Sequence, residues 1–183
     1  MKKLLTGILL AGIVLLYFSS CKKVLAVIYG GSDVVIPQTE LIIPQVYTVP
    51  PDEVSLGGFT FNINLDSSVR ANTGGVFGAN AVNSVKVKSV IIKVENPDAY
   101  DNLSNFDSAW VTLQSDTNDT PVELFAVGFP VTYSDSLNYS TPNSPELLPY
   151  VKGSTVTYNV YGKLRTTTNK PLGITIDVTL RAN

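Results

Sequence analysis

The chemistry open to this chain is bounded by what it lacks and by where its acids fall. Its 183 residues include no histidine and a single cysteine, Cys21. Without histidine, the commonest general base, the usual activator of a hydroxyl or thiol nucleophile and the commonest imidazole ligand are all missing. Oxygen chemistry remains. The stretch NPDAYDNLSNFD, 96–107, sets Asp98, Asp101 and Asp107 among Asn96, Asn102 and Asn105, a supply of the hard oxygen ligands that Ca²⁺ takes. It lacks the D-x-[DN]-x-[DN]-G spacing and the closing bidentate glutamate of a calcium loop. Asn and Asp also close side-chain turns by themselves, so an ordered surface loop is the expected reading and calcium at Asp98, Asp101 and Asp107 the alternative. A carboxylate pair or a Ser–Lys dyad is the catalysis left to a histidine-free chain. Fifteen acidic residues allow many pairs and no spacing singles one out. Lys86 and Lys88 alternate with valines, as on a solvated strand face. The glycines of TGGVFGAN, 73–80, have no G-K-[ST] ending and no helix pattern after them, so they read as positive-φ positions in a connection rather than as a phosphate cradle. Trp110, Tyr133, Tyr139, Tyr150, Tyr158 and Tyr161 are of the type that stacks on sugar rings, but aromatics are the usual core and sheet-packing residues and Trp110 is expected to be buried in a sandwich.

The cysteine has a specific setting. Lys2 and Lys3 precede an apolar run from Leu4 to Phe18, too short to span about 30 Å of hydrocarbon and suited to a signal peptide. The residues Phe18-Ser19-Ser20-Cys21 resemble the lipobox of bacterial lipoproteins, with Phe where that family usually has Leu. The resemblance implies cleavage after residue 20 and acylation of Cys21, including palmitate, and hence a membrane partner through lipid. Several acyl chains on one residue supply the multiple anchors that stable attachment needs, at about 0.8 kcal/mol per buried CH₂. Loss of residues 1–20 removes two of 13 basic residues, leaving 11 against 15 acidic ones, a net charge of −4. Nucleic acid is not expected as a partner, because neutralising phosphates needs a basic face. With Cys21 acylated, no disulfide or thiolate metal site remains.

The elements that must position these groups read as β throughout. Between residues 21 and 54, Pro37, Pro44, Pro50 and Pro51 punctuate apolar pieces, giving a lipidated tether and short edge strands. A sandwich domain is expected over 55–183. In FTFNINL, Phe59, Phe61, Ile63 and Leu65 alternate with polar residues, the mark of a strand with one buried face. Asp66 is placed to cap a short helix running to Asn72, ended by Gly74 or Gly75. Val85 and Val87 differ in parity from Val90, Ile92 and Val94, which predicts a bulge near Lys88 and Ser89. AWVTLQ and VELFAVGFPVTY are further strands, separated by the turn-forming SDTNDTP. Ser144 and Pro145 suit the start of a short helix. TVTYNVYGKLR and LGITIDVTLRA read as a C-terminal hairpin, with Ile174, Ile176, Val178 and Leu180 inward and Thr175 outward. Leu124, Ile92, Val94, Phe61 and Ile176 are the expected core. No internal repeat suggests a solenoid. The fold class is all-β, an antiparallel sandwich, immunoglobulin-like or jelly-roll-like, with one or two short helices.

The lipobox, NTGGVFGAN, VKVKSVIIKVENP followed by LSNFDSAWVTL, and the closing strands together resemble small β-sandwich lipoproteins of Bacteroidota. IIKVENPDAY also resembles, more faintly, the strand-then-Asn-Pro pattern of water-stress and hypersensitive-response domains. The first resemblance implies an anchored sandwich and carries no activity. It also implies that DSA and DSL could be O-glycosylation motifs, at Ser108 and Ser136. Acidic residues soon after the cysteine mark surface export in that group; here Lys22 and Lys23 lead into VLAVIY, so an outer-membrane protein facing the periplasm is favoured over one on the cell surface. The expected function is that of a non-catalytic binding or structural module without cofactor, its partner an envelope protein or glycan. A glycan-binding surface lipoprotein is the alternative and a carboxylate-based hydrolase the third reading.

Overall fold

The computed structural model describes residues 30–141 and 143–183. The expected signal peptide 1–20, Cys21 and the two lysines after it lie outside the described residues. Strands account for 49% of the described residues and helices for 12%, so the fold is all-β and the helices among these residues are short. No helix among them is long and apolar enough to cross a membrane.

Two antiparallel sheets pack face to face. In the first, β1 (Ser32–Val35) and β2 (Thr39–Ile43) lie in succession along one edge of β9 (Leu172–Ala182), whose other edge pairs with β4 (Val85–Glu95), and β4 in turn with the short β7 (Ser136–Tyr139). The second runs β3 (Val54–Asn62), β8 (Thr155–Leu164), β5 (Phe106–Ser115), β6 (Asn118–Gly128). Period-two alternation builds the space between them. Val34, Leu41, Ile43, Val90, Ile92, Val94, Ile174, Ile176, Val178 and Leu180 point in from one sheet, and Val111, Leu113, Leu124, Val156, Tyr158 and Val160 from the other, all buried. Fully burying an aliphatic side chain of this kind is worth about 1.5–3 kcal/mol. The segment read as tether and edge strands thus joins the sandwich from Ser32 onward, and the start expected at Ser55 falls one residue inside β3.

The expected bulge is present: the register of β4 on β9 shifts between Val87 and Ser89, which puts Val85, Val87, Val90, Ile92 and Val94 all on the buried side. Several details differ from expectation. The first helix, α1 (Leu65–Asn72), is capped by Asn64, whose side chain accepts from Ser67 N–H, and not by Asp66. Asp66 accepts from Ala79 N–H instead and pairs with Arg70 one turn on. Leu65 therefore continues the inward alternation from a helix, because β3 ends at Asn62. The second helix, α2, is only Leu148–Val151, and Ser144 does not cap it. β7 covers β4 only at residues 90–93, so the exposed N–H groups of Val85 and Val87 need other acceptors. Glu146 and Ser144 provide them, and this pulls 144–147 out of helix.

The two C-terminal strands do not form a hairpin. β8 lies between β3 and β5 in one sheet, β9 between β1, β2 and β4 in the other. The link 165–171 holds no two-residue turn signal, and seven extended residues reach about 23 Å, ample for the roughly 10 Å between stacked sheets. Thr175, expected outward, is only 8% exposed because register seats it between Glu40 on β2 and Lys93 on β4. Phe61 is half-buried on edge strand β3, where it and Phe59 flank the ring of Tyr158 at 5.7 and 5.4 Å.

Candidate functional site

Four connections meet at one end of the sandwich: 44–53, 96–105, 129–135 and 165–171. Antiparallel strand order forces this, since β2, β4, β6 and β8 all run toward that end and the next strand starts back from it. Gly30 lies at the other end, beside β9's last residues, where Arg181 donates to its carbonyl at 2.7 Å.

Polar side chains brace these connections to one another. Asn105 is buried, and its amide donates to the carbonyls of Tyr100 (3.0 Å) and Thr167 (2.9 Å) and to the Thr166 hydroxyl (3.0 Å), while its oxygen accepts from Asn102 N–H at 2.8 Å. Asn102 Oδ1 accepts from Ser104 and Ser134 N–H. Arg165 donates to the carbonyls of Ser104, Pro130 and Phe129. Thr168 and Val46 exchange bonds of 3.0 and 2.9 Å, which ties in the fourth connection.

The three calcium candidates all belong to this end, but the structure does not gather them into a ligand set. Asp98 accepts from Tyr100 and Asp101 N–H and pairs with Lys170 at 2.6 Å; Lys170 and these amides hold its carboxyl below the usual carboxylate range. Asp101 is buried and accepts from Asn169 N–H at 2.7 Å. Asp107 faces Arg165 at 3.3 Å. Among the described residues, no group of three or more acidic side chains is placed to hold a metal ion. The Asn/Asp run is thus a set of braces completed by Arg165, Thr166, Thr167, Asn169 and Lys170, some sixty to seventy residues on. Between them the braced loops present Tyr47 (80% exposed), Tyr100 (75%), Val131 (78%) and Tyr133 (55%) to solvent. Of these four only Tyr133 belongs to the expected aromatic set. A lone tyrosine in a loop gives no signal until its loop is known to meet the others.

Of the remaining aromatics, Tyr150 is buried on α2, Tyr139 is half-buried on β7, and Tyr158 is buried on β8, where burial pushes its phenol well above its usual range. Trp110 and Tyr161 face outward, directly opposite each other on β5 and β8, with ring centroids 5.4 Å apart and planes 9° from parallel. Trp110 lines a depression of about 500 Å³ with Ser108, Ala126, Gly128, Glu53 and Glu123. The two candidate O-glycosylation sites differ in setting: Ser136 is exposed at the start of β7, while Ser108 is half-buried in this depression.

No protein-family model matches the chain, and no curated protein matches it. Solved structures that it resembles include a cyanophage Pam1 capsid protein, at 12% identity over 85% of this chain and 88% of that one, with a TM-score of 0.36. A Parabacteroides distasonis protein described as secreted is 10% identical, spanning 82% of this chain and 50% of the other, TM-score 0.42. The family 32 CBM of C. perfringens NanJ, solved with galactose, is 9% identical over 77% of this chain and 99% of that one, TM-score 0.33. At such identities the likeness concerns strand architecture alone.

Proposed function

We propose that the chain is a lipid-anchored protein of the bacterial outer membrane, facing the periplasm, that acts as a non-catalytic binding or structural module. The supporting observation is polarity along the sandwich. Gly30, the first described residue, is at one end, and the tyrosine-bearing braced loops are at the other. β9, eleven residues at about 3.4 Å each, gives the axis a length of roughly 35 Å. Nine residues from Cys21 to Gly30 reach at most about 30 Å, so an upright domain holds its loop end about 35–65 Å from the lipid surface. Rigid tyrosines on braced loops offer amphipathic contact area at low entropic cost, which is how a binding tip is made from a sandwich. An envelope protein is the partner that such a tip suits.

The test combines two measurements in cells. Cys21→Ser is expected to abolish palmitate labelling and to move the protein out of the membrane fraction; full labelling and retention would overturn the anchor. A photo-crosslinking amino acid at position 100 is expected to give discrete adducts and one at position 76, in the 73–78 loop at the other end, none. Equal patterns from both positions would overturn the tip.

A further inference from the structure

We propose that the outer face of the four-stranded sheet carries a second site, a saccharide-binding site centred on Trp110 that takes neutral rather than acidic sugars. It goes beyond the binding tip and stands or falls apart from it. Register places Trp110 in a row across the sheet, Ser55, Tyr161, Trp110, Ala126. Tyr161 covers one face of the indole, stacked at 5.4 Å and 9°. On the other side the neighbours are small, Ala126 and Gly128, and this leaves the depression of about 500 Å³ that Trp110 walls. That size falls within the range of small-ligand sites. The supporting tyrosine holds the indole in place, so a ligand that stacks on it does not bear the cost of ordering it. A pyranose has a flat C–H face for such a surface and hydroxyl donors around its rim.

The rim supplies matching acceptors. Glu53, Glu123 and Ser108 line the same depression, and none of their side chains makes a hydrogen bond or ion pair with another described residue. Carboxylates accept from sugar hydroxyls through charge-assisted bonds. No basic residue lines the depression itself, so an acidic sugar would meet two carboxylates inside it against Lys163, opposite Ser108 on β8, beside it. Beyond it, Thr112, Asn159, Thr157 and Gln114 continue the outward face as short polar groups along which a chain of sugars could extend.

Trp110 is the sole tryptophan, so its emission reports on this site alone. The full chain, held in a detergent without a sugar headgroup, is titrated with neutral hexasaccharides of glucose, mannose, xylose, galactose and N-acetylglucosamine, and with hexagalacturonate. At least one neutral hexasaccharide is expected to shift the emission saturably, and hexagalacturonate to leave it unchanged. By calorimetry, Trp110→Ala should weaken that binding tenfold or more and Glu123→Gln several-fold, with Ser67→Ala, exposed on α1, as an unaffected control; circular dichroism checks that each variant is folded. The site is overturned if no neutral hexasaccharide binds, or if Trp110→Ala binds as wild type does. Equal binding of hexagalacturonate would overturn the preference for neutral sugars.

Discussion

Replacing Asn105 tests whether the loop end is a built structure or a set of independent loops. In Asn105→Ala the buried Asn102 N–H loses its acceptor, and the Tyr100 and Thr167 carbonyls lose their donor. A buried donor left unpaired costs about 1–3 kcal/mol, and a partly buried carbonyl that recruits water costs less, so the sum is about 2–4 kcal/mol. With a urea m-value near 2 kcal/mol/M, that lowers the unfolding midpoint by on the order of 1–2 M, read from Trp110 fluorescence. Asn105→Asp sharpens the test. Its carboxylate keeps the acceptor for Asn102 N–H but turns a charged oxygen toward two carbonyls and a hydroxyl, so its folded pKa lies above the unfolded value of about 3.9. A raised folded pKa makes the deficit relative to wild type smallest at low pH, where both states are protonated. The deficit then grows as pH rises from about 4 through the folded pKa. Loss of under about 0.5 kcal/mol in the alanine variant, or a pH-independent deficit in the aspartate variant, would refute the brace.

Truncating Ile92→Ala or Ile176→Ala should cost about 2–5 kcal/mol by denaturation, since both are almost fully buried on central strands; Phe61→Leu on the edge should cost clearly less, and equal losses at all three would contradict the assigned layers. Thermal stability should be flat above about pH 5 and fall below about pH 4. Lys88 and Arg181 hold Asp33 below the usual range, Lys170 holds Asp98 there, and Ser154 does so for Asp116. Burial pushes Glu146 up, but bonds from Val85 N–H, the Ser84 hydroxyl and Leu148 N–H outweigh it. Groups lowered in the folded state stabilise above the unfolded pKa and lose that contribution as pH drops through the folded value. A melting temperature that rose from pH 5 to pH 3 would contradict these pairings.

Which features were legible follows from the range of the interaction that decides each. Strand faces are set by period-two alternation within a few residues, so the inward set Ile174, Ile176, Val178 and Leu180 and the bulge at Lys88–Ser89 could be read directly. Pairing is not local. The sequence next to β8 offers β9 as a hairpin partner, yet β9 fills the gap between β4 and the short strands β1 and β2. The same distinction governs capping: Ser144 has the right type and spacing to start a helix, but the unpaired N–H of Val87, 57 residues away, takes its oxygen.

The candidate site divides along the same line. Its composition was legible in the Asn/Asp run, written in one short stretch, whereas Trp110, expected inside the sandwich, lies half-buried on its outer face. Its meaning was not, because Asp98 and Asp101 become braces only when the 165–171 link folds against them, and Trp110 gains its stacked support only in the register that sets it opposite Tyr161. That link is long because it must cross between sheets. The failed hairpin and the braced loop end are therefore one event: had β8 and β9 paired directly, Arg165, Thr166 and Lys170 would have closed a turn, and the Asn/Asp run would have lost the partners that hold it.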